Sequence, residues 1–208
     1  MSDARPSSVA RTGPSFWSRV QKPVVFVLCL GPLFWLAGRG LLGQLGANPI
    51  ETVIRYLGDW ALRFLLIALA VTPLRLVTGW SGVGRFRRML GLYAFTYVVL
   101  HMLAYVGLDQ LFDLAAIVRE VIKRVYITIG MAALLMLLPL AITSTDKMIK
   151  RVGARNWRRL HRLAYVAGVA GSIHYIMMVK ASLVQPGIYA AILTVLLGIR
   201  VIHAWRRS

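Results

Sequence analysis

Six runs of about 20 mainly apolar residues constrain the fold of this chain more than any other feature. They lie near residues 23–42, 58–78, 89–108, 125–143, 160–180 and 183–203. A helix of this length crosses the roughly 30 Å hydrocarbon layer of a membrane. The mean hydropathy of +0.68 also fits an integral membrane protein better than a soluble domain. We therefore predict an all-α fold, a six-helix transmembrane bundle.

The basic residues indicate how the predicted helices are oriented. Most of the 25 Lys and Arg residues fall in alternate segments, within 5–22, 75–88, 147–162 and 200–207, and five of the seven acids fall on the opposite side. The positive-inside rule then places both termini in the cytoplasm, as in a multi-pass protein of a bacterial inner membrane. Contacts of these basic loops with lipid headgroups follow from the same placement. Because the net charge of +18 is spread over alternate loops, it does not indicate nucleic-acid binding.

The composition divides the chain into three parts. Residues 1–22 are rich in Ser, Arg and Pro and are predicted to be a disordered cytoplasmic tail. Residues 23–203 form the membrane domain, and 204–208 a basic cytoplasmic tail. The loops are too short for a flavin or nicotinamide domain. The outward segments, which offer the candidate surface for a partner, lie near 43–58, 109–124 and 180–183.

Three histidines, His101, His161 and His174, lie inside predicted spans. A polar side chain there costs a few kcal/mol unless it faces the bundle interior and finds a partner. His101 and His174 fall at nearly the same depth on the third and fifth helices, an arrangement that supplies two axial ligands to six-coordinate haem. The single cysteine, Cys29, excludes a Cys-x-x-Cys-His attachment site, so any haem is held by coordination alone. We predict one haem between these two helices.

The other candidate residues leave alternatives open. His161 lies about 20 Å below His174 along the fifth helix and cannot bind the same iron. Its role is open between a second haem, a quinone or flavin contact, and a structural hydrogen bond. His203 is the remaining histidine that could complete a second haem, or it anchors the sixth helix at the interface. Arg63 could pair with a haem propionate or extend to the outer membrane surface.

Two other classes of protein are compatible with intramembrane histidines. A transporter or proton-translocating bundle would use them to relay protons or bind ions, and it would be colourless when purified. A membrane scaffold would use them only for structural hydrogen bonds. Replacing His101 or His174 would then leave the activity of a partner intact.

Several short motifs, in a fixed order, resemble the MsrQ (YedZ) family. They are Ala47-Asn48-Pro49, Val71-Thr72-Pro73-Leu74, Arg87-Arg88-Met89-Leu90-Gly91-Leu92 ahead of His101, Thr143-Ser144-Thr145, Trp157, Leu160-His161 and Ile173-His174-Tyr175. The resemblance extends over residues 23–203. It implies a ferric-reductase-like membrane domain that binds haem b.

The resemblance also implies a function and a set of partners. A protein of this family takes electrons from quinol, with cytosolic reduced flavin from a flavin reductase as a further source. It passes them to a periplasmic, molybdopterin-containing methionine-sulfoxide reductase of the MsrP type. The chain itself would be an electron-transfer subunit and would not reduce methionine sulfoxide. The haem-associated histidines of the family correspond to His101, His161 and His174, which leaves a second haem open, and FMN is implied by the resemblance without any residue motif here.

Overall fold

The computed structural model describes residues 16–179 and 182–206. Within those ranges there are nine α-helices and no strand, which confirms the all-α prediction. In chain order they are α1 (Phe16–Leu41), α2 (Pro49–Thr78), α3 (Arg87–Ala104), α4 (Leu114–Lys123), α5 (Val125–Ile142), α6 (Asp146–Val152), α7 (Ala154–Leu160), α8 (Leu163–Met178) and α9 (Val184–Trp205). A 3-10 turn (Ser81–Phe86) precedes α3, and a π-helical turn (Tyr105–Asp109) extends it.

Five helical segments in the described part of the chain are long and apolar enough to cross a membrane. They comprise α1 from Val20, α2, α3 with its two flanking turns, α5 and α9. The predicted span at 160–180 coincides with α8, which has only 16 residues. At about 1.5 Å per residue α8 is roughly 24 Å long, shorter than the hydrocarbon layer. The shortening arises because the chain turns at His161 and Arg162, and α8 starts after that turn.

Several elements differ from the sequence prediction. The helix α2 begins at Pro49, ahead of the predicted span 58–78 and within the outward segment 43–58. The helix α1 begins at Phe16, inside the tail predicted for 1–22, because Arg, Gln and Lys in this polar stretch favour helix and allow it to extend. Residues 1–15 and 207–208 of the two predicted tails lie outside the described residues. The outward segment 109–124, predicted as a loop, contains the helix α4. Its apolar residues are too few to predict a membrane span, so the sequence did not predict a helix in this segment.

The termini of α2 follow from local sequence. Asn48 accepts a hydrogen bond from the backbone of Glu51 at 3.2 Å, and Pro49 fills the first helical position, where no N–H is needed. At the other end Gly79 adopts φ of 70°, which favours glycine, and closes the helix. The 30 residues between these signals form the longest helix in the described chain.

The helix α2 is the centre of the bundle. It contributes the largest share of buried apolar residues and packs against α3, α8 and α9, while α5 packs mainly against α8. The helix α1 is joined to α3 by two tyrosines, since Tyr93 donates to the carbonyl of Phe26 and buried Tyr97 to that of Cys29, both at 2.9 Å. The bundle thus contains two close helix pairs, α2 with α3 and α5 with α8.

Candidate functional site

His101 and His174 are neighbours at the centre of the bundle. His101 lies on α3 and His174 on α8, and the centroids of their rings are 6.3 Å apart with the planes 80° to each other. The two residues are 73 positions apart in the sequence. The structure therefore brings together the two histidines that the sequence placed at one depth.

Each of these rings is held by a backbone carbonyl of an adjacent helix. The Nδ1 atom of His101 lies 2.8 Å from the carbonyl oxygen of Ile54 on α2. The Nδ1 atom of His174 lies 2.6 Å from the carbonyl oxygen of Tyr126 on α5. Because a carbonyl can only accept, Nδ1 carries the proton and the lone pair of Nε2 stays free in both neutral rings. Both side chains are thus prepared to act as ligands through Nε2.

A glycine lies behind each ring, four residues after the residue whose carbonyl accepts the hydrogen bond. A Cβ atom on Gly58 would lie 3.1 Å from Nδ1 of His101, and one on Gly130 only 2.8 Å from Nδ1 of His174. Any larger residue would push on the ring or on the helix behind it. The sequence analysis missed both glycines. Glycine within an apolar span, where helices approach closely, is the signal that could have identified them.

The donor set is suited to haem and not to a bare metal ion. Among the described residues, no group of three or more His, Cys, Asp or Glu side chains could hold a metal. Two imidazoles suffice only for a metal that brings its other ligands with it, as haem iron does. A ligating nitrogen lies about 2 Å from a first-row metal and the ring centroid about 1 Å further, so two opposed imidazoles have centroids about 6 Å apart. The separation of 6.3 Å between His101 and His174 fits this arrangement.

Arg63 is engaged by protein groups near the same end of α2. Its Nε donates to the hydroxyl of Tyr189 on α9 at 2.6 Å, and its guanidinium lies 4.0 Å from the carboxylate of Asp59. The guanidinium also lies over the ring of Trp60, 4.9 Å from its centroid. Arg63 therefore joins α2 to α9. Its predicted pairing with a propionate stays a prediction.

A polar pocket of about 350 Å³ opens between α2, α8 and the start of α9. Its polar lining consists of Arg55, Asp59, Tyr175, Ser182 and Gln185. The carboxylate of Asp59 accepts hydrogen bonds from Tyr175 and from Gln185. Tyr175, the residue after His174, lines this pocket, which we call the outer pocket.

His161 occupies a different site, at the end of α7. Its Nδ1 lies 3.0 Å from the carbonyl of Trp157, and its ring stacks on that of Trp157 with centroids 3.8 Å apart. Trp157 is itself fixed by a hydrogen bond from Nε1 to the carbonyl of Thr143, 2.9 Å long. The structure thus separates His161 from the central pair, as the sequence predicted. The stack orients the His161 ring.

His161 and Trp157 line an inner cavity of about 320 Å³. Its other walls include Leu65, Leu69, Phe95, Arg87, Arg88 and Ser144. The cavity combines apolar walls with two arginines, of which Arg88 is also ion-paired with Asp146. Such a lining suits an amphipathic molecule with polar or anionic oxygens. His161, for which a quinone or flavin contact is one of the predicted alternatives, therefore lines a cavity.

His203 does not meet His161. In the ranges 16–179 and 182–206, no ring contact or hydrogen bond joins these two histidines, and the Nε2 of His203 is buried without a hydrogen-bond partner. The geometry lends no support to a second haem held by this pair, which stays a prediction.

Arg200, on α9, has a role that the sequence analysis did not assign. Its guanidinium donates to the hydroxyl of Tyr165 at 2.6 Å and to the backbone carbonyl of Leu69 at 2.7 Å. That carbonyl is available because Pro73, four residues later in α2, has no N–H to donate to it. Arg200 thus joins α2, α8 and α9 beside the inner cavity. A proline inside a predicted span was the signal for such a partner.

Comparison with known proteins gives consistent matches over most of the chain. Residues 57–172 match the family described as "Ferric reductase like transmembrane component". This range includes Gly58, His101, Gly130 and His161 and ends two residues before His174.

Individual relatives cover nearly the whole chain. The protein-methionine-sulfoxide reductase heme-binding subunit MsrQ of Rhodospirillum rubrum is 55% identical over 189 residues, which is 91% of each chain. The MsrQ proteins of Caulobacter vibrioides and Polaromonas naphthalenivorans are 47% and 46% identical. These two alignments cover 86% and 90% of this chain, and 85% and 86% of the relatives.

Proposed function

Because the chain belongs to the MsrQ family, within the ferric-reductase-like transmembrane proteins, we propose that it is the haem-binding membrane subunit of a methionine-sulfoxide reductase system. In this role it carries electrons through haem b to a reductase on the outer side of the membrane. It is an electron-transfer subunit, and the sulfoxide is reduced on the partner. The observation that carries the proposal is the pair of imidazoles, His101 and His174, with both Nε2 atoms free and ring centroids 6.3 Å apart.

His101 and His174 would hold the haem through their Nε2 atoms. When bound, haem supplies a reversible one-electron couple in a layer of low dielectric constant. The hydrogen bonds from Nδ1 to the carbonyls of Ile54 and Tyr126 select the tautomer in which Nε2 carries the lone pair, and they make that Nε2 more basic. They also fix each ring to the helix beside it. The protein thereby sets the orientation of the ligands and the potential of the couple.

The inner cavity is the proposed entry point for electrons. A quinol has an apolar ring with polar oxygens at its edge, which suits the apolar walls and the arginine groups of this cavity. The ring of His161, held by Trp157, faces the same space and could hydrogen-bond the quinol or ligate a second haem. FMN and a cytosolic flavin reductase come from the family alone. They would use the same cytoplasmic side.

The proposed topology places six spans across a bacterial inner membrane, with both termini in the cytoplasm. The short α8 counts as the sixth span, since His174 lies in its second half and must reach the level of His101. The outer pocket then faces the periplasm. We infer that the molybdopterin-containing partner, of the MsrP type, docks over this pocket, because Tyr175, the residue after His174, lines it.

The proposal is tested by visible spectra of the detergent-purified protein, oxidised and then reduced with dithionite. Wild type is expected to show a Soret band and, on reduction, resolved α and β bands. His101→Ala and His174→Ala each remove an axial ligand and are expected to lose these bands or shift them to a five-coordinate form. His203→Ala tests the predicted second haem. The geometry gives that haem no support, so this variant is expected to keep the wild-type spectrum.

Two results would contradict the proposal. A colourless wild type, expressed with ample haem, would favour the transporter or proton-translocating alternative. Bands of full intensity and unchanged position in either His101→Ala or His174→Ala would show that another residue holds the haem.

A further inference from the structure

The helix α4 forms a separate surface feature between α3 and α5. Its first turn is capped by Asp113, whose side chain accepts from the backbone N–H of Ala116 at 2.9 Å. Its last turn is held by an ion pair between Glu120 and Arg124. The hydroxyl of Thr128, on α5, donates to the carbonyl of Val121 at 2.5 Å. The helix is therefore fixed in place, so its faces point in defined directions.

Only one edge of the apolar face of α4 is buried. Ile117 is 9% exposed and packs toward the bundle. Leu114, Val118 and Ile122 recur every four residues, about 40° apart around the helix, and are 72%, 57% and 76% exposed. They form a continuous apolar stripe, which we call the α4 stripe. It consists of large side chains that no other part of the described chain covers.

Two basic residues of α4 flank the stripe on the exposed side of the helix. Arg119 is about 100° further round the helix than Val118, and Lys123 about 100° further than Ile122. Both are exposed. A helix with a buried edge, an exposed apolar stripe and basic residues along one side of that stripe has the pattern of one that lies in the plane of a membrane surface. The basic residues then face the headgroups and the water.

The surface around the stripe is also apolar. Leu111 and Phe112, just before α4, are 79% and 69% exposed and have φ of 47° and 64°. Such φ values are unusual for large side chains, so the turn holds both residues outward at an energetic cost. Leu108 and Val125, the ends of the two adjoining spans, are exposed as well. The stripe is thus continuous with the lipid-facing surface of α3 and α5.

We propose that α4 lies in the membrane interface, with the α4 stripe inserted among lipid acyl chains and Arg119 and Lys123 at the headgroups. Lipid is the occupant because exposed apolar residues run from the end of one span through the stripe to the start of the next, and because basic residues flank the stripe. In the topology proposed above this is the outer surface. The segment 109–124 then presents only its polar face to a partner, so docking falls on the outer pocket instead.

The experiment measures depth with nitroxide spin labels on single cysteines. Cys29, the one native cysteine, is replaced by Ala. Labels are attached at Val118→Cys and Ile122→Cys for the stripe, and at Arg119→Cys and Lys123→Cys as matched controls. The full-length protein is reconstituted in vesicles of phosphatidylethanolamine and phosphatidylglycerol. Collision rates with oxygen, which concentrates in the acyl region, and with a water-soluble nickel chelate give the depth of each label.

The stripe labels are expected about 5–10 Å below the lipid phosphates, with collisions favouring oxygen, and the control labels at or above the phosphates. Equal access of nickel chelate to all four labels would overturn the proposal. Loss of that nickel access on adding the periplasmic reductase would assign the stripe to the partner instead and would also overturn it. The haem spectrum of each labelled protein separates this outcome from a failure of the proposed function.

Discussion

The glycines behind the two histidines allow a graded test of how tightly the rings are held. Gly130→Ala would place a Cβ atom 2.8 Å from Nδ1, 3.0 Å from Cε1 and 3.3 Å from Cγ of His174. Gly58→Ala would place one 3.1 Å, 3.2 Å and 3.8 Å from the same atoms of His101. Ordinary contact begins at 3.4 Å, so the ring or helix must retreat by about 0.6 Å at Gly130 and about 0.3 Å at Gly58.

The energetic cost follows from these displacements. Overpacking a tightly packed site by one methyl group costs about 1–3 kcal/mol. For Gly130→Ala we expect most of this cost to weaken haem binding, by about 5- to 150-fold, because the ring that moves is the ligand. For Gly58→Ala, with half the displacement, we expect less than about fivefold. Replacement of glycine by alanine in a helix also adds up to about 1 kcal/mol of stability, which the control must account for.

In the assay, haem is titrated into apoprotein made in haem-deficient cells, and its binding is monitored by visible absorbance. The highest g value in the electron paramagnetic resonance spectrum of the low-spin ferric form reports the relative orientation of the two rings. It should shift more in Gly130→Ala than in Gly58→Ala. Gly91→Ala is the matched control, since it lies on α3 and its Cβ would meet nothing within 4 Å. Equal haem affinity and g values in all three variants would refute the reasoning. A larger effect at Gly58 than at Gly130 would refute the role assigned to the distances.

Two further predictions concern the inner half of the molecule. Arg200→Leu leaves the carbonyl of Leu69 buried without a donor, which costs about 1–3 kcal/mol of stability. Thermal unfolding of this variant in detergent should occur at a lower temperature than that of wild type. Arg206→Leu, at an exposed position, is the control and should unfold at the wild-type temperature. Trp157→Leu removes the stack on His161 and should slow reduction of the haem by quinol, measured by stopped-flow absorbance. The dithionite-reduced spectrum should be unchanged, and a normal quinol rate would contradict the proposed entry site.

Much of the fold could be predicted from hydropathy because a membrane span depends on a local property, a long apolar run. The predicted spans match α1, α2, α3, α5, α8 and α9 within several residues at most ends. The helix α4 was missed because ten amphipathic residues are too few for a span. Its apolar residues form a pattern only when they are compared at the spacing of a helical turn. The early start of α1 was missed because polar composition was taken to indicate disorder.

The candidate site was predictable only in part. Depth along a helix is local information, and it sufficed to pair His101 with His174. The groups that hold the two rings are backbone carbonyls, which every residue carries, and glycines, whose one signal is their place within an apolar span. Arg200 was missed for a similar reason, because its main acceptor is a carbonyl left without a donor by a proline in another helix. Such partners depend on which helices adjoin, and hydropathy does not determine that.

The sequence by itself determined that this chain is helical and membrane-spanning, and which two histidines share a depth. These properties follow from apolar run length, charge placement and a fixed rise per residue, all of which are local. Only the tertiary structure decided that α2 lies against α3 and α5 against α8, so that each ring meets a carbonyl and a glycine of an adjacent helix. In a membrane, lipid solvates every apolar helix face equally well, so apolar character does not determine which helices lie together. Close packing and hydrogen bonds between helices determine it.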